Sequence, residues 1–340
     1  MTADVHHSLA DPMLLTQWFA IAWSSEVPAG AVLARRFMAR DVVLWRSAER
    51  LVCWRDLCIH RGAKLSLGTP RQRPGQSECL VCPYHAWEYA PSGQCVHIPA
   101  QPHLPPPTKA RAESYTVCER YGVIWVCLGE PAAGLPEFPP PVPGMPEGTL
   151  RIVHAGPYRF RAKGPRVIEN VFDVAHLGYV HAGMLGDPDR LEINDYDVTI
   201  GPQGPEASSI QIWQPDPDGT GRAALVDYHY WTRGPLTGGL IKRHGDEIFG
   251  ILAQVVPIDE EVCESRLIMV LDRDASAAVS DQELIRFQDT VTAQDVVIVE
   301  SQRPELLPLD LQAELHLRSD RLAIAYRRWL RDIGFTYGTA

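Results

Sequence analysis

The stretch EPAAGLPEFPPPVPGMPEG, Glu130 to Gly148, carries seven prolines. Proline lacks a backbone donor and holds φ near one value, so neither a regular helix nor a central strand can run through it. An extended linker is the expected result. It divides 340 residues, more than one ordinary domain, into two parts. We expect a first domain over 1–130 with its N-terminal segment, a linker over 131–148 and a second domain over 149–340. Ahead of the linker lie short apolar runs cut by turn residues, DVVLWRSAERLVCW, ECLVCPYH, GQCVHIP and YGVIWVCLG, which predict a β-rich domain. Beyond it, PRVIENVFDVAHLGYVH and SDQELIRFQDTVTAQDVVIVESQRP have helical periodicity, while ASSIQIWQ, ALVDYHYWT and IFGILAQVVPI read as strands. The second domain is therefore α+β, with helices packed on an antiparallel sheet.

Composition narrows the class. The net charge is −10, with no block of like charges, so a nucleic-acid partner is not expected. No apolar run approaches the roughly 18 residues of a membrane span. The first residues lack the basic segment of a signal peptide. The eight cysteines are thus expected in a reducing, cytoplasmic setting, as metal ligands or buried apolar residues.

Two short pairs carry the chemistry. Cys58 and His60 stand in CIH, and Cys82 and His85 in CPYH. The order C-x-H then C-x-x-H is not that of a zinc finger. A Rieske [2Fe–2S] centre needs two thiolates on one iron and two imidazoles on the other, and this set supplies both. The competing readings are a redox pair or half a zinc site from Cys79 and Cys82. Cys53, Cys79, Cys95, Cys118, Cys127 and Cys263 are otherwise expected to be small buried side chains.

A second set lies in ENVFDVAHLGYVHAG. Asp173 and His176 are spaced to share a helix face. His176 and His181 converge only if the chain leaves α geometry between them, and Gly178 offers the place. In the last long helix, Ser280 and Glu283 form a capping box and Pro304 closes the segment. Its predicted apolar stripe is Leu284, Phe287, Val291 and Ile298, with Asp295 upon it. A carboxylate on a buried face needs a positive partner. His176, His181 and Asp295 form a 2-His-1-carboxylate set suited to Fe(II), and Asp289 is the alternative carboxylate.

CIHRGAKLSLG followed by CPYHAWEY resembles the cluster motif of the Rieske oxygenases, C-x-H-R-G and C-P-Y-H-G-W, with Ala86 where that pattern has glycine. D-x-x-H-x-x-x-x-H and the late Q/E-D-x-x-x-x-E resemble the same family's mononuclear iron motifs. The tail SDRLAIAYRRWLRDIGFTYG is similar to that of saxitoxin-pathway hydroxylases, and dicamba-type O-demethylases share the iron motifs. The resemblance implies a terminal oxygenase using a Rieske cluster, mononuclear Fe(II) and dioxygen. Its reaction would be hydroxylation or oxidative demethylation of a small aromatic or heterocyclic compound, with dihydroxylation a further chemistry of the same iron. Electrons from NAD(P)H would arrive only through a separate reductase or ferredoxin, since no G-x-G-x-x-G is present. It also implies a head-to-tail homotrimer in which Asp173 bridges His176 and a neighbouring subunit's cluster ligand, His85. The alternatives are an electron carrier with an appended binding domain and a zinc-held interaction protein. Trp213, Tyr228, His229 and Trp231 are candidate pocket residues, with sheet packing the competing role for each.

Overall fold

The computed structural model describes the chain except for residues 1–8, 10, 49, 73, 74, 76, 139–149, 218–220, 246 and 273–278. Contacts divide the chain into two units, one over Pro12–Gly134 and the other over Leu135–Ala340 together with the N-terminal residues through Asp11. Most of the expected proline linker lies outside the described residues. Its first part differs from expectation, because Phe138 is buried with its ring 5.8 Å from that of Trp231 in the second unit. The N-terminal segment was expected with the first domain. Asp11 instead accepts hydrogen bonds from Thr336 N, Thr336 Oγ1 and Tyr337 N, so three donors of the second unit hold it there.

The first unit opens with one helical turn, α1 (Pro12–Leu15), and is otherwise built of strands. These are β1 (Phe19–Trp23), β2 (Val32–Phe37), β3 (Arg40–Arg46), β4 (Leu51–Arg55), β5 (Thr69–Arg71), β6 (Cys79–Val81), β7 (Glu88–Tyr89), β8 (Cys95–His97), β9 (Ser114–Arg120) and β10 (Val123–Cys127). One sheet has the order β1-β10-β9-β4-β3-β2, and a smaller one runs β5-β6-β7-β8. The apolar runs read from the sequence fall on β3, β4, β6, β8 and β10. Trp45, Trp54, Leu65, Leu80 and Tyr89 build a core that also encloses Cys58 and Cys82. Cys58 and His60 follow β4, while Cys82 and His85 occupy the turn from β6 to β7.

The second unit is a seven-stranded antiparallel sheet of β11 (Leu150–Phe160), β12 (Asp197–Gly201), β13 (Gly204–Gln214), β14 (Ala224–Thr232), β15 (Thr237–His244), β16 (Glu247–Pro257) and β17 (Cys263–Asp272). From β12 to β17 each strand pairs with the next, and β11 closes the order beside β17. Helix α2 (Gly164–Phe172) lies against β15 and β16, α3 (Asp281–Ser301) against β11, and α4 (Arg321–Ile333) against β12 and β13. Gly238 in β15 lets α2 come close, because a Cβ there would stand 2.7 Å from Cζ of Phe172. Buried charges tie α2 to α4. Glu169 accepts from Arg327, and Arg166 and Arg327 both donate to Glu314, at 2.8 and 2.6 Å.

Two local expectations need correction. Asp173 and His176 do not share a helix face, because α2 ends at Phe172 and Asp173 has extended backbone angles. Asp173 Oδ1 accepts from Ala175 N at 2.8 Å, and this local turn competes with a further helical bond. The capping box of α3 is present, with Glu283 N donating to Ser280 Oγ at 3.3 Å and Ser280 N to Glu283 Oε2 at 2.8 Å. Its apolar stripe is displaced, however. Phe287 and Ile298 are exposed, whereas Gln288, Val291, Thr292 and Val299 are buried. At about 100° per residue, the inward face is centred on Gln288, Thr292, Asp295 and Val299. Its middle is polar because it faces a cavity and a cluster of histidines.

Candidate metal centres and cavity

In the first unit two hairpin-like turns bring the cysteine–histidine pairs together. Cys58 N donates to Ala63 O at 2.8 Å, and Gly62 N returns to Cys58 O at 2.9 Å. Cys82 N donates to Trp87 O at 2.8 Å, and Ala86 N to Cys82 O at 3.1 Å. Ala86 has φ of 55°, which explains how an alanine occupies the glycine position of the motif. The turn keeps its left-handed residue and bears the cost of the extra methyl group.

Both thiols are buried and close enough for their side chains to interact, and burial, followed by the Cys58 contact, pushes the Cys82 thiol up. Cys58 Sγ lies 3.1 Å from the hydroxyl of buried Tyr89. The imidazoles lie together with ring centres 4.6 Å apart, and His60 stacks on Trp87 at 4.5 Å. Burial and the charge of His85 lower the pKa of His60. Its Nδ1 is buried without a hydrogen-bond partner. Thiols on the inner side, imidazoles toward the surface and an orphaned imidazole nitrogen fit a [2Fe–2S] cluster. All eight cysteines are free, and Cys118 is only partly buried, in contrast to the expectation of full burial.

In the second unit His176 and His181 lie on consecutive tight turns. Tyr179 N and Val180 N donate to His176 O, and Met184 N and Leu185 N to His181 O. With Asp295 they offer donor atoms all within 4.8 Å of one another. His181 Nε2 stands 3.1 Å from Asp295 Oδ1 and His176 Nε2 3.5 Å from it. The first distance would suit a hydrogen bond, yet the alignment does not provide one, and His181 Nε2 is an unsatisfied buried atom. This geometry fits lone pairs converging on a cation. Burial lowers the pKa of His176 against the pull of Asp173 and Asp295. For His181 burial acts downward, but Asp295 and Gln294 carry the net shift upward.

Asp289 is not in this group, for it accepts from the Tyr158 hydroxyl at 2.8 Å. Asp173 is half-exposed, with Oδ2 3.9 Å from His176 Nδ1. Two supporting residues were missed in the sequence. Gln294 Oε1 lies 2.7 Å from His181 Nδ1, and Asn170 Nδ2 3.5 Å from Asp295 Oδ1. The Gln-Asp dipeptide was the visible signal for the first; the second had none.

A cavity of about 400 Å³ opens against the three residues, lined by α2, α3 and the inner face of the sheet. Of the four candidate pocket residues only Tyr228 lines it. Trp231 is fully buried elsewhere, Trp213 packs under Arg190, and His229 lies 3.9 Å from Glu206.

Residues 160–334 match the family of the vanillate O-demethylase oxygenase C-terminal domain, and residues 17–110 match the Rieske [2Fe-2S] domain. The chain belongs to the Rieske terminal oxygenases. This oxygenase is 30% identical to the methylxanthine N1-demethylase NdmA of Pseudomonas putida over 88% of its own length and 82% of that relative. The structure of Pseudomonas putida CBB5 NdmA covers 94% of this chain and 91% of its own, with a TM-score of 0.76 and 28% identity. Dicamba monooxygenase, at 23% identity and a TM-score of 0.72 over 94% of this chain and 97% of its own, shares the fold. The oxygenase is an oxidoreductase of the Rieske non-heme iron monooxygenase class. Among the described residues no helix is long and apolar enough to cross a membrane.

Proposed function

We propose that Cys58, His60, Cys82 and His85 hold the Rieske cluster, and that His176, His181 and Asp295 hold a mononuclear Fe(II) at which a methyl-bearing aromatic or heterocyclic substrate is oxidatively demethylated. The observation that carries this reading is the convergence of two imidazoles and one carboxylate at the wall of a cavity of about 400 Å³. When bound, the cluster relays single electrons and the Fe(II) activates dioxygen. The chain's own part is to position and to exclude water. Gln294 orients His181, Asn170 reaches Asp295, and the apolar wall formed by Leu267, Met269 and their neighbours keeps solvent from the reacting carbon.

A separate cytoplasmic reductase or ferredoxin supplies the electrons in this reading. Asp173 is the bridging carboxylate between His176 and His85 of a neighbouring copy in a homotrimer. Its half-exposed side chain and the exposure of His85 on its own unit support that role. Metal analysis tests the ligand sets. The protein should carry the two irons of the cluster plus one more, and Asp295→Ala should lose the latter while the visible spectrum persists. An Asp295→Ala protein with full iron would remove this carboxylate from the set.

A further inference from the structure

The cavity has a chemical polarity that the metal ligands do not require. Helix α3 runs beside β11, with Asp281 bound to Arg151 at one end and Glu300 accepting from Arg161 N at the other. Arg151 pairs with Leu271 near the end of β17, so α3 begins at the sheet end where β15 turns into β16. The charged lining residues outside the metal set gather at that end: Asp216, Lys242, His244, Glu247 and Asp272. Three carboxylates stand there against one lysine, whose Nζ donates to Pro217 O at 3.0 Å. No arginine lines the cavity among the described residues. Asp295 lies seven residues beyond Gln288 on one helix face, about 10 Å deeper along the axis.

Between the charged mouth and the metal set, the polar groups are neutral. Gln288 is 6% exposed and lines the cavity, and its amide has no hydrogen-bond partner among the described residues. The amide of Gln214 donates to Leu185 O at 3.1 Å and to the Tyr228 hydroxyl at 2.6 Å. The acceptor at Leu185 sets the orientation of that amide, so the Tyr228 oxygen accepts and its own proton remains for the cavity. Burial pushes the Tyr228 pKa up, against the Gln214 bond, and keeps this group a donor. An amide without a partner among the described residues and a phenol with an unused proton, both at the cavity, are groups that a ligand can satisfy.

Resting on the oxygenase reading above, we propose that the cavity selects an uncharged substrate bearing a carbonyl or ring-nitrogen edge. Gln288 and the Tyr228 hydroxyl bind that edge, and the carboxylates at the charged end, with no arginine among the described lining residues, disfavour carboxylates and sulfonates. An anion entering this cavity would lose its hydration with no guanidinium among the described lining residues to replace it.

The test is calorimetric binding to the iron-loaded oxygenase without dioxygen. Two matched pairs serve as probes: 4-methoxybenzamide against 4-methoxybenzoate, and 1,3-dimethyluracil against 1,3-dimethylorotate. The neutral member of each pair should bind at least tenfold more tightly. Gln288→Leu and Tyr228→Phe should each weaken neutral-probe binding by about three- to tenfold, with iron content and cluster spectrum unchanged. Equal or tighter binding of the carboxylates, binding of neither member of either pair, or unaltered affinity in both variants would overturn the proposal. Dioxygen consumption by the pre-reduced enzyme in a single turnover is followed separately. If it depends on iron while the probe preference fails, the substrate class is wrong and the oxygenase reading stands.

Discussion

Replacing Gln294 by leucine probes how the protein prepares His181 for a metal. The His181 ring is fully buried, and its Nδ1 lies 2.7 Å from Gln294 Oε1. A metal at Nε2 requires the proton on Nδ1, so the glutamine oxygen must accept. Gln294→Leu removes that acceptor. A metal at Nε2 then leaves the Nδ1 proton a buried donor without an acceptor. An unsatisfied buried donor costs about 1–3 kcal/mol, roughly 5- to 150-fold at about 1.4 kcal/mol per decade. The expected loss of metal affinity is therefore on the order of tenfold to a hundredfold. Anaerobic titration with Co(II) against a competing chelator reads the affinity directly, without turnover. Gln294→Glu retains an acceptor and should bind within a few-fold of the parent. Unchanged Co(II) affinity in Gln294→Leu, with the fold intact by circular dichroism, would refute this account.

Three further outcomes follow from the same geometry. Tyr89→Phe removes the hydroxyl beside Cys58 Sγ; since a hydrogen bond to sulfur favours the reduced cluster, the midpoint potential should fall by about 40 mV for roughly 1 kcal/mol, and a rise in redox titration would contradict the assignment. Ala86→Gly relieves a left-handed alanine, worth about 1–2 kcal/mol less about 0.5–1 for glycine's extra chain entropy, so the cluster spectrum should survive higher urea; a lower midpoint would count against it. For Glu314, burial acts upward, but Arg166 and Arg327 hold its carboxyl below 4.5. Its contribution to stability is complete above pH 4.5 and is lost as pH falls through the lower folded value. Glu314→Gln should therefore flatten the acid limb of the urea midpoint, and an unaltered limb would exclude the contribution.

What could be read in the sequence was local. C-x-H and C-x-x-H need no tertiary knowledge, because the turns that present them close within a few residues, as Gly62 N to Cys58 O and Ala86 N to Cys82 O do. The capping box at Ser280 is equally self-contained. The end of α2 was misread because its apolar spacing continues past Phe172 while Asp173 diverts the backbone into its own turn. The face of α3 was read only in part. Leu284, Phe287, Val291 and Asp295 of the expected stripe line the cavity, but so do Gln288 and Thr292, which apolar spacing does not mark, while Ile298 is exposed. Asn170 and Tyr228 reach the site from α2 and β14, and only pairing across the sheet brings them together.

Gly238 places a tolerance for the proposed iron site at a residue that has no side chain. Phe172 rests where a Cβ would stand at 2.7 Å, and the turn bearing Asp173 and His176 leaves the helix directly after it. A larger residue at 238 would touch no ligand, yet it would lift the floor on which the helix sits. A tetrahedral carbon of a few ångströms is large against metal–ligand distances that must hold within tenths of an ångström. The cavity wall is spread over many residues of the sheet and helices, while this bare spot in the sheet acts as a levelling point for the whole turn. A substitution there would present as an iron-poor enzyme, with its cause hidden in a strand remote in sequence from every ligand.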